Sequence, residues 1–307
     1  MLANEKITVR SRLGFIGLGY LGSRIARRLV AAGFPMLVYD RDHAKAAELS
    51  ALGARVARDP GKLAGEVDVI LSSLTDDCAV QDVYLGTGDV LRNARRGTRI
   101  IELSTISPET SRGLHQAAGQ LDLASLDLAI SGSTPSAEAG TLTLFGGGEP
   151  EIFESAVAIF SAIAKQWFYM GGSGAGVSMK LVVNTLLGVG MQAVAEALAL
   201  GLTLDLPRDL LFDTLAKTAV VAPSHVGKLA SAKKHDYAPQ FPVRLMHKDF
   251  ALVLASAANL GLSMPTTEAA AGSNAAAAAS ESEADFSIVI QWMERLVTRR
   301  RVAAGSQ

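Results

Sequence analysis

Residues 13–42 read LGFIGLGYLGSRIARRLVAAGFPMLVYDRD, and they leave few folds open. Gly17, Gly19 and Gly22 have the G-x-G-x-x-G spacing, directly after a short apolar run and at the start of a helical pattern. The first glycine permits the tight turn, the second lets backbone approach a pyrophosphate, and the third packs helix against strand. Amides at the start of that helix then face phosphate oxygens. Leu18, Tyr20 and Leu21 share the turn and join the candidate contacts. Asp40 ends the second apolar run, where a carboxylate accepts hydrogen bonds from ribose hydroxyls and repels a 2′-phosphate, so the expected cofactor is NAD. Arg41, next in the chain, could pair with that phosphate, which keeps NADP open.

Beyond this unit, short runs rich in β-branched residues alternate with helical patterns. The runs are VDVILSSL (67–74), TRIIELST (98–105), SLDLAIS (125–131), TLTLFGG (141–147) and QWFYMGG (166–172). Alternation of this kind predicts a parallel sheet with crossover helices. Helices are expected near 21–32, 43–52, 77–84, 108–121 and 150–164, the fourth with Ser107 as N-cap and Pro108 at its first position. After GGSGAG (171–176) the strand signal ends, and 177–203, 207–218, 243–261, 265–280 and 286–301 all read as helices. The expected organisation is a loose extension over 1–11, a Rossmann-type doubly wound α/β domain over 12–172 and an all-helical domain over 173–307. The alanine run at 269–280 belongs to a packed helix, because Ala is the best helix former.

Charge narrows the partner. Lys+Arg of 29 against Asp+Glu of 30 leaves -1, no field for nucleic acid or an anionic membrane. A small molecule or a second copy of the chain is expected instead. The only cysteine, Cys78, cannot form an internal disulfide, which suits a reducing, cytoplasmic setting. LVVNTLLGVGMQAVA, after Lys180, is apolar but shorter than the roughly 20 residues that a span needs, so it reads as a helix buried in protein.

That helix carries Lys180 and, one turn on, Asn184. A buried ammonium costs free energy unless partnered, and burial lowers its pKa toward the range useful for proton transfer. A lysine snorkelling from a helix start is the alternative. Ser131, Gly132 and Ser133 follow the carboxyl end of a strand, where open α/β sheets bind ligands, and a hydroxyl with free amides there can hold a carboxylate. S-G-S is equally an ordinary turn.

Taken in order, GFIGLGYLG, IELSTISP (101–108), SGSTPSAEAGTLT (131–143), GSGAGVSMKLVVN (172–184), HKDFALVLA (247–255) and DFS (285–287) resemble the β-hydroxyacid dehydrogenase family over nearly the whole chain after residue 12. The resemblance implies a Rossmann domain joined by a long helix to a helical domain that forms a homodimer or higher homo-oligomer. It implies Lys180 as general acid/base, Asn184 as the group that positions the substrate oxygen, and Ser131, Gly132 and Ser133 as the carboxylate site. Thr105 and Lys248 match positions at the nicotinamide, and Leu74 ends the strand beside them. The substrate implied is a small hydroxy acid, semialdehyde or 2-oxo acid. The S-G-S segment is most like the glyoxylate/succinic semialdehyde reductases; 3-hydroxyisobutyrate dehydrogenase and a non-catalytic NAD(P)-binding protein are the alternatives. Those reductases favour NADPH and carry an N-R-T-like turn, whereas this chain has Asp40-Arg41-Asp42. The related imine reductases replace the lysine, so Lys180 argues against that activity.

The five histidines show no metal-ligand spacing, and no metal is expected. His247 and His225, the latter in APSHVG read as a loop, are taken as ordinary polar positions. Phe241 reads as pocket lining or core aromatic, and the C-terminal arginines as partners of a helix dipole.

Overall fold

The computed structural model describes residues 6–305, with side chains through Thr298. The chain divides into two compact units, Met1–Leu181 and Val182–Gln307. The first contains β1 (Leu13–Ile16), α1 (Gly22–Ala31), β2 (Met36–Tyr39), α2 (His43–Ser50), β3 (Arg55–Val56), α3 (Pro60–Glu66), β4 (Val69–Ser72), α4 (Asp77–Leu85), α5 (Val90–Asn93), β5 (Arg99–Glu102), α6 (Pro108–Gly119) and β6 (Ala124–Ser131). It continues through α7 (Thr134–Ala139), β7 (Leu142–Gly148), α8 (Pro150–Ser155), α9 (Val157–Ile163) and β8 (Ala164–Gly171). The strands form one sheet in the order β3-β2-β1-β4-β5-β6-β7-β8. Alternate residues of the central strands serve opposite faces: Leu13, Phe15, Val69 and Leu71 join one apolar cluster, Ile16 and Ile70 the other. Burial on both faces is what a doubly wound sheet requires of its strands.

The sheet is mixed, not parallel throughout. β7 runs antiparallel to β6, and β8 returns parallel to β7. Between β6 and β7 the chain has room only for the short α7, too little for the crossover of roughly a dozen or more residues that a parallel neighbour needs. α8 and α9 supply that length before β8. Three short helices were not legible as periods: α3, α5 and α7. α3 does carry a local signal, since Asp59 accepts the Lys62 N–H at 2.7 Å and Pro60 opens the helix. Ser107 caps α6 as expected, accepting the Thr110 N–H.

The segment before β1 is not a loose extension where it is described. Ile7 lies in the apolar core, and its N–H donates to the Ser155 carbonyl at 2.9 Å. Residues 1–5 lie outside the described part of the chain.

A single helix, α10 (Ala175–Thr203), leaves the sheet and continues as the first helix of the second unit. It runs 29 residues, longer than the apolar stretch after Lys180, and by length and composition it is long and apolar enough to cross a membrane. One stripe of it packs in the core of the second unit through Met191, Val194, Ala195 and Leu198. That unit adds α11 (Arg208–Leu215), α12 (Pro223–Lys233), α13 (Val243–Asn259), α14 (Pro265–Glu281) and α15 (Ile288–Gly305). APSHVG is not a loop but the start of α12, with Pro223 at its first turn. The alanine run is helical in α14, where Thr267, Ala270, Asn274 and Ala277 form the buried stripe. The arginines at 299–301 lie outside the described side chains.

Candidate active site

The strand order reverses between β1 and β4, and the glycine loop leaves β1 at that switch point. Gly17 has φ +91° and donates its N–H to the Tyr39 carbonyl at 2.9 Å. A Cβ at Gly17 would lie 2.3 Å from the Ser73 carbonyl oxygen, and one at Gly22 would lie 2.1 Å from that of Gly17. Gly19 differs: nothing lies within 4 Å of the position its Cβ would take. Two glycines are thus required by the protein's own packing, and the middle one leaves backbone open to an outside group. Helix α1 starts at Gly22 with no capping side chain, which suits amides that serve an anion.

Asp40 is buried, and its carboxylate organises this loop. Oδ2 accepts the Leu18 N–H at 2.6 Å and Oδ1 the Asp42 N–H at 2.8 Å. Each oxygen has a second lone pair for a ribose hydroxyl. Arg41 is exposed, and Tyr20 is 37% exposed at the loop surface. These residues fit a nicotinamide dinucleotide: a cradle at Gly19, an uncapped helix start and a carboxylate at the end of β2.

Leu74 and Thr105 sit past the carboxyl ends of β4 and β5. The Leu74 N–H donates to Ser104 Oγ at 2.7 Å, tying the two loops together. Beneath them lies a group that sequence reasoning missed. Glu102 is fully buried, accepts the Ser104 N–H at 2.7 Å and bonds the hydroxyl of Ser72, which also meets Tyr84. Burial pushes its carboxyl up to about 7, against hydrogen bonds from Ser104 and Ser72 that favour the charge. Its sequence signal was weak, a single acid in an apolar strand.

Ser131 ends β6, Gly132 follows with φ +139°, and Ser133 stands at the N-cap position of α7 without a side-chain capping bond. A Cβ at Gly132 would come 2.7 Å from the Leu142 side chain. Lys180 lies near the start of α10 and is only 8% exposed. The first unit therefore holds the glycine loop, Asp40, Leu74, Thr105, the Ser131 segment and Lys180.

The second unit holds Asn184, Lys248 and a residue that sequence reasoning did not single out, Asp249. Asn184 is fully buried and donates from Nδ2 to Asp249 Oδ2 at 2.6 Å, while its Oδ1 has no hydrogen-bond partner among the described residues. Lys248 Nζ stands 2.9 Å from Asp249 Oδ1 in an ionic contact that lacks hydrogen-bond alignment. An amide held by its nitrogen, with its oxygen left open, is oriented to accept a hydrogen bond. Asp249 carried a signal, being adjacent to Lys248 in HKDFALVLA.

Other candidates resolve as structure. His225 is buried, donates from Nε2 to the Leu187 carbonyl at 3.0 Å and has its pKa lowered by burial. His247 is exposed. Phe241 packs edge-on to Phe286 at 5.7 Å. Asp285 of DFS accepts Lys228 Nζ at 2.6 Å and the Phe241 N–H at 3.1 Å, pinning the segment before α13. Among the described residues no group of three or more His, Cys, Asp or Glu could hold a metal.

The fold and the loop at the switch point define a dinucleotide-binding α/β protein with a helical second unit. Residues 12–171 match the family described as the NAD binding domain of 6-phosphogluconate dehydrogenase. Residues 174–293 match that described as NAD-binding of NADP-dependent 3-hydroxyisobutyrate dehydrogenase. Glyoxylate/succinic semialdehyde reductase 1 of Arabidopsis thaliana is 33% identical, over 91% of this chain and 97% of its own. The NAD-dependent L-serine dehydrogenase of Pseudomonas aeruginosa is 34% identical over 83% of this chain and 88% of its own. Among solved structures, Mycobacterium tuberculosis 3-hydroxyisobutyrate dehydrogenase with L-serine superposes with a TM-score of 0.83, at 30% identity, covering 92% of this chain and 99% of that one. The chain belongs to the β-hydroxyacid dehydrogenase family and is an NAD(P)-dependent oxidoreductase.

Proposed function

We propose that the protein interconverts a small semialdehyde or 2-oxo acid and its hydroxy acid, preferring NAD, with Lys180 as general acid/base. The observation that carries this reading is the pair of buried polar residues on α10, Lys180 and Asn184, in a chain of this family. When bound, the nicotinamide supplies or accepts the hydride. Lys180 gives its proton to the developing alkoxide, or takes the hydroxyl proton in the oxidation direction. Asn184, its nitrogen held by Asp249, turns its oxygen toward the substrate hydroxyl or the lysine. The Ser131 hydroxyl and amides at Gly132 and Ser133 hold the substrate carboxylate. Gly17 to Gly22 and Asp40 hold the dinucleotide, and Leu74, Thr105 and Lys248 border the nicotinamide.

NAD is preferred because the Asp40 carboxylate is fixed by two backbone N–H groups and cannot swing away from a 2′-phosphate. A second reading, oxidation of 3-hydroxyisobutyrate or a similar β-hydroxy acid, is favoured by the likeness to the dehydrogenase with L-serine. We place the protein in the cytoplasm as a homodimer or higher homo-oligomer with a small carboxylate as substrate, not nucleic acid or a membrane. In support of assembly, α10 leaves Val182, Leu186, Leu200 and, just past its end, Leu204 exposed, at 56%, 73%, 61% and 65%. Their spacing keeps them on one stripe.

The test is a set of initial rates crossing NADH and NADPH with glyoxylate, succinic semialdehyde, tartronate semialdehyde and methylmalonate semialdehyde. Fast oxidation of NADH with one of the first two is the expected result. Preference for methylmalonate semialdehyde selects the second reading, and cofactor binding without turnover on any of them selects a non-catalytic protein.

A further inference from the structure

The helix that carries Lys180 is fastened to the strand that carries Ser131 by one carboxylate. Asp127 lies within β6, buried to 4% exposure. Its Oδ1 accepts the Gly174 N–H at 2.8 Å and its Oδ2 the Val177 N–H at 2.9 Å, so both oxygens hold the beginning of α10. The Ser111 hydroxyl, from α6, donates to the same carboxylate. Burial raises the Asp127 pKa, and these donors oppose the rise.

The seat is built without slack. A Cβ on Gly147 of β7 would stand 2.7 and 2.8 Å from the two carboxylate oxygens. One on Gly176 would stand 2.4 Å from the Phe145 carbonyl oxygen and 2.8 Å from Asp127 Oδ2. Helix starts are ordinarily capped by the residue just before them. Here the acceptor comes from a strand, with Gly174 47 residues further along the chain. A local cap would satisfy the amides without fixing where the helix stands over the sheet; a cap borne on a strand does both. Gly176 and Lys180 are four residues apart and share a helix face, separated by about 6 Å along the axis. The face pressed onto β6 and β7 is therefore the one that presents the lysine a turn later.

We propose that Asp127 is a positioning residue, setting the start of α10 so that Lys180 stands in register with the Ser131 carboxylate site. The inference rests on the reading of Lys180 as the acid/base. Asparagine is a poor replacement, because it offers one acceptor oxygen and turns an N–H₂ group toward a second N–H donor.

The experiment measures kcat, KM, NADH affinity, the solvent deuterium effect on kcat and thermal stability for Asp127→Asn, Gly176→Ala, Lys180→Ala and Ile159→Ala, on the substrate selected by the rate matrix. Ile159→Ala creates a cavity in the fully buried core and reports what lost stability alone does. The expected result is a kcat lowered at least tenfold in Asp127→Asn and Gly176→Ala, with NADH affinity within twofold and a larger solvent deuterium effect. Ile159→Ala loses stability with kcat unchanged. Should Asp127→Asn fail to fold, Gly176→Ala decides alone, since it keeps the carboxylate and displaces only the turn. Wild-type kcat in either folded variant, with Lys180→Ala inactive, overturns this inference and leaves the function intact. An active Lys180→Ala overturns the acid/base reading itself.

Discussion

The two units bury polar side chains in different ways. In the sheet unit, Asp40, Asp127 and Glu102 each spend a carboxylate on backbone N–H groups of a nearby loop or helix start. In the helical unit, side-chain partners from distant segments come to the fore: Asn184 with Asp249, Lys228 with Asp285, Arg208 with Glu294, although Asp285 and Arg208 also bond backbone groups. Strands in a doubly wound sheet end in loops whose amides need acceptors, so acids at strand ends shape binding loops. Helices satisfy their own backbone, so a polar residue inside a bundle needs a partner from another helix. The first arrangement makes a rigid cradle, the second orients single functional groups.

Substitutions at the two kinds of site should separate them, and Gly22→Ala is expected to have the largest effect. Its Cβ would lie 2.1 Å from the Gly17 carbonyl oxygen, so loop and helix must part, at a cost of about 3 kcal/mol of stability in denaturant melts. A wild-type midpoint would show that the loop is softer than its packing implies.

Glu102 comes next and acts through pH. Its folded pKa of about 7 lies above the ordinary value of 4.5, so the proton is held more tightly in the folded state. Its contribution is fully present below about pH 4.5 and is lost as pH rises through 7, a change on the order of 3 kcal/mol. Glu102→Gln should flatten that part of the stability profile between about pH 4.5 and pH 7; an unchanged slope would mean that another group titrates.

In the helical unit, Asp249→Ala should lower kcat/KM by about tenfold to a hundredfold while NADH binding holds, because the Asn184 amide loses the acceptor that orients it. Equal losses in NADH affinity would move Asp249 from the substrate to the cofactor. Gly19→Ala should be the mildest for the fold: nothing of the protein lies near the new methyl, so melting is unchanged while NADH binds about tenfold more weakly. A melting loss without a binding loss would reverse the contrast with Gly22.

The same difference explains what could be read from the sequence. The glycine loop, Asp40 and the alternating strands announce themselves locally, and Ser107 with Pro108 marked a helix start directly. The reversal at β7 was hidden because it depends on the length of a connection, not on composition. α12 is hidden in APSHVG, which reads as a loop although Pro223 stands where a first helical turn tolerates it. Lys180 and Asn184 stood out as polar residues in an apolar helix. Asp127 did not, since it acts on Gly174, 47 positions away, a distance at which no local pattern exists, and Asp249, 65 positions from Asn184, was marked only by its place beside Lys248.

The most direct test of the account is Lys180→Ala, assayed side by side for NADH binding by fluorescence titration and for turnover on the preferred carbonyl acid. The account predicts NADH affinity within twofold of wild type and kcat reduced by roughly a hundredfold to ten-thousandfold. Turnover within tenfold of wild type, with NADH bound, would contradict it and assign the proton to another group.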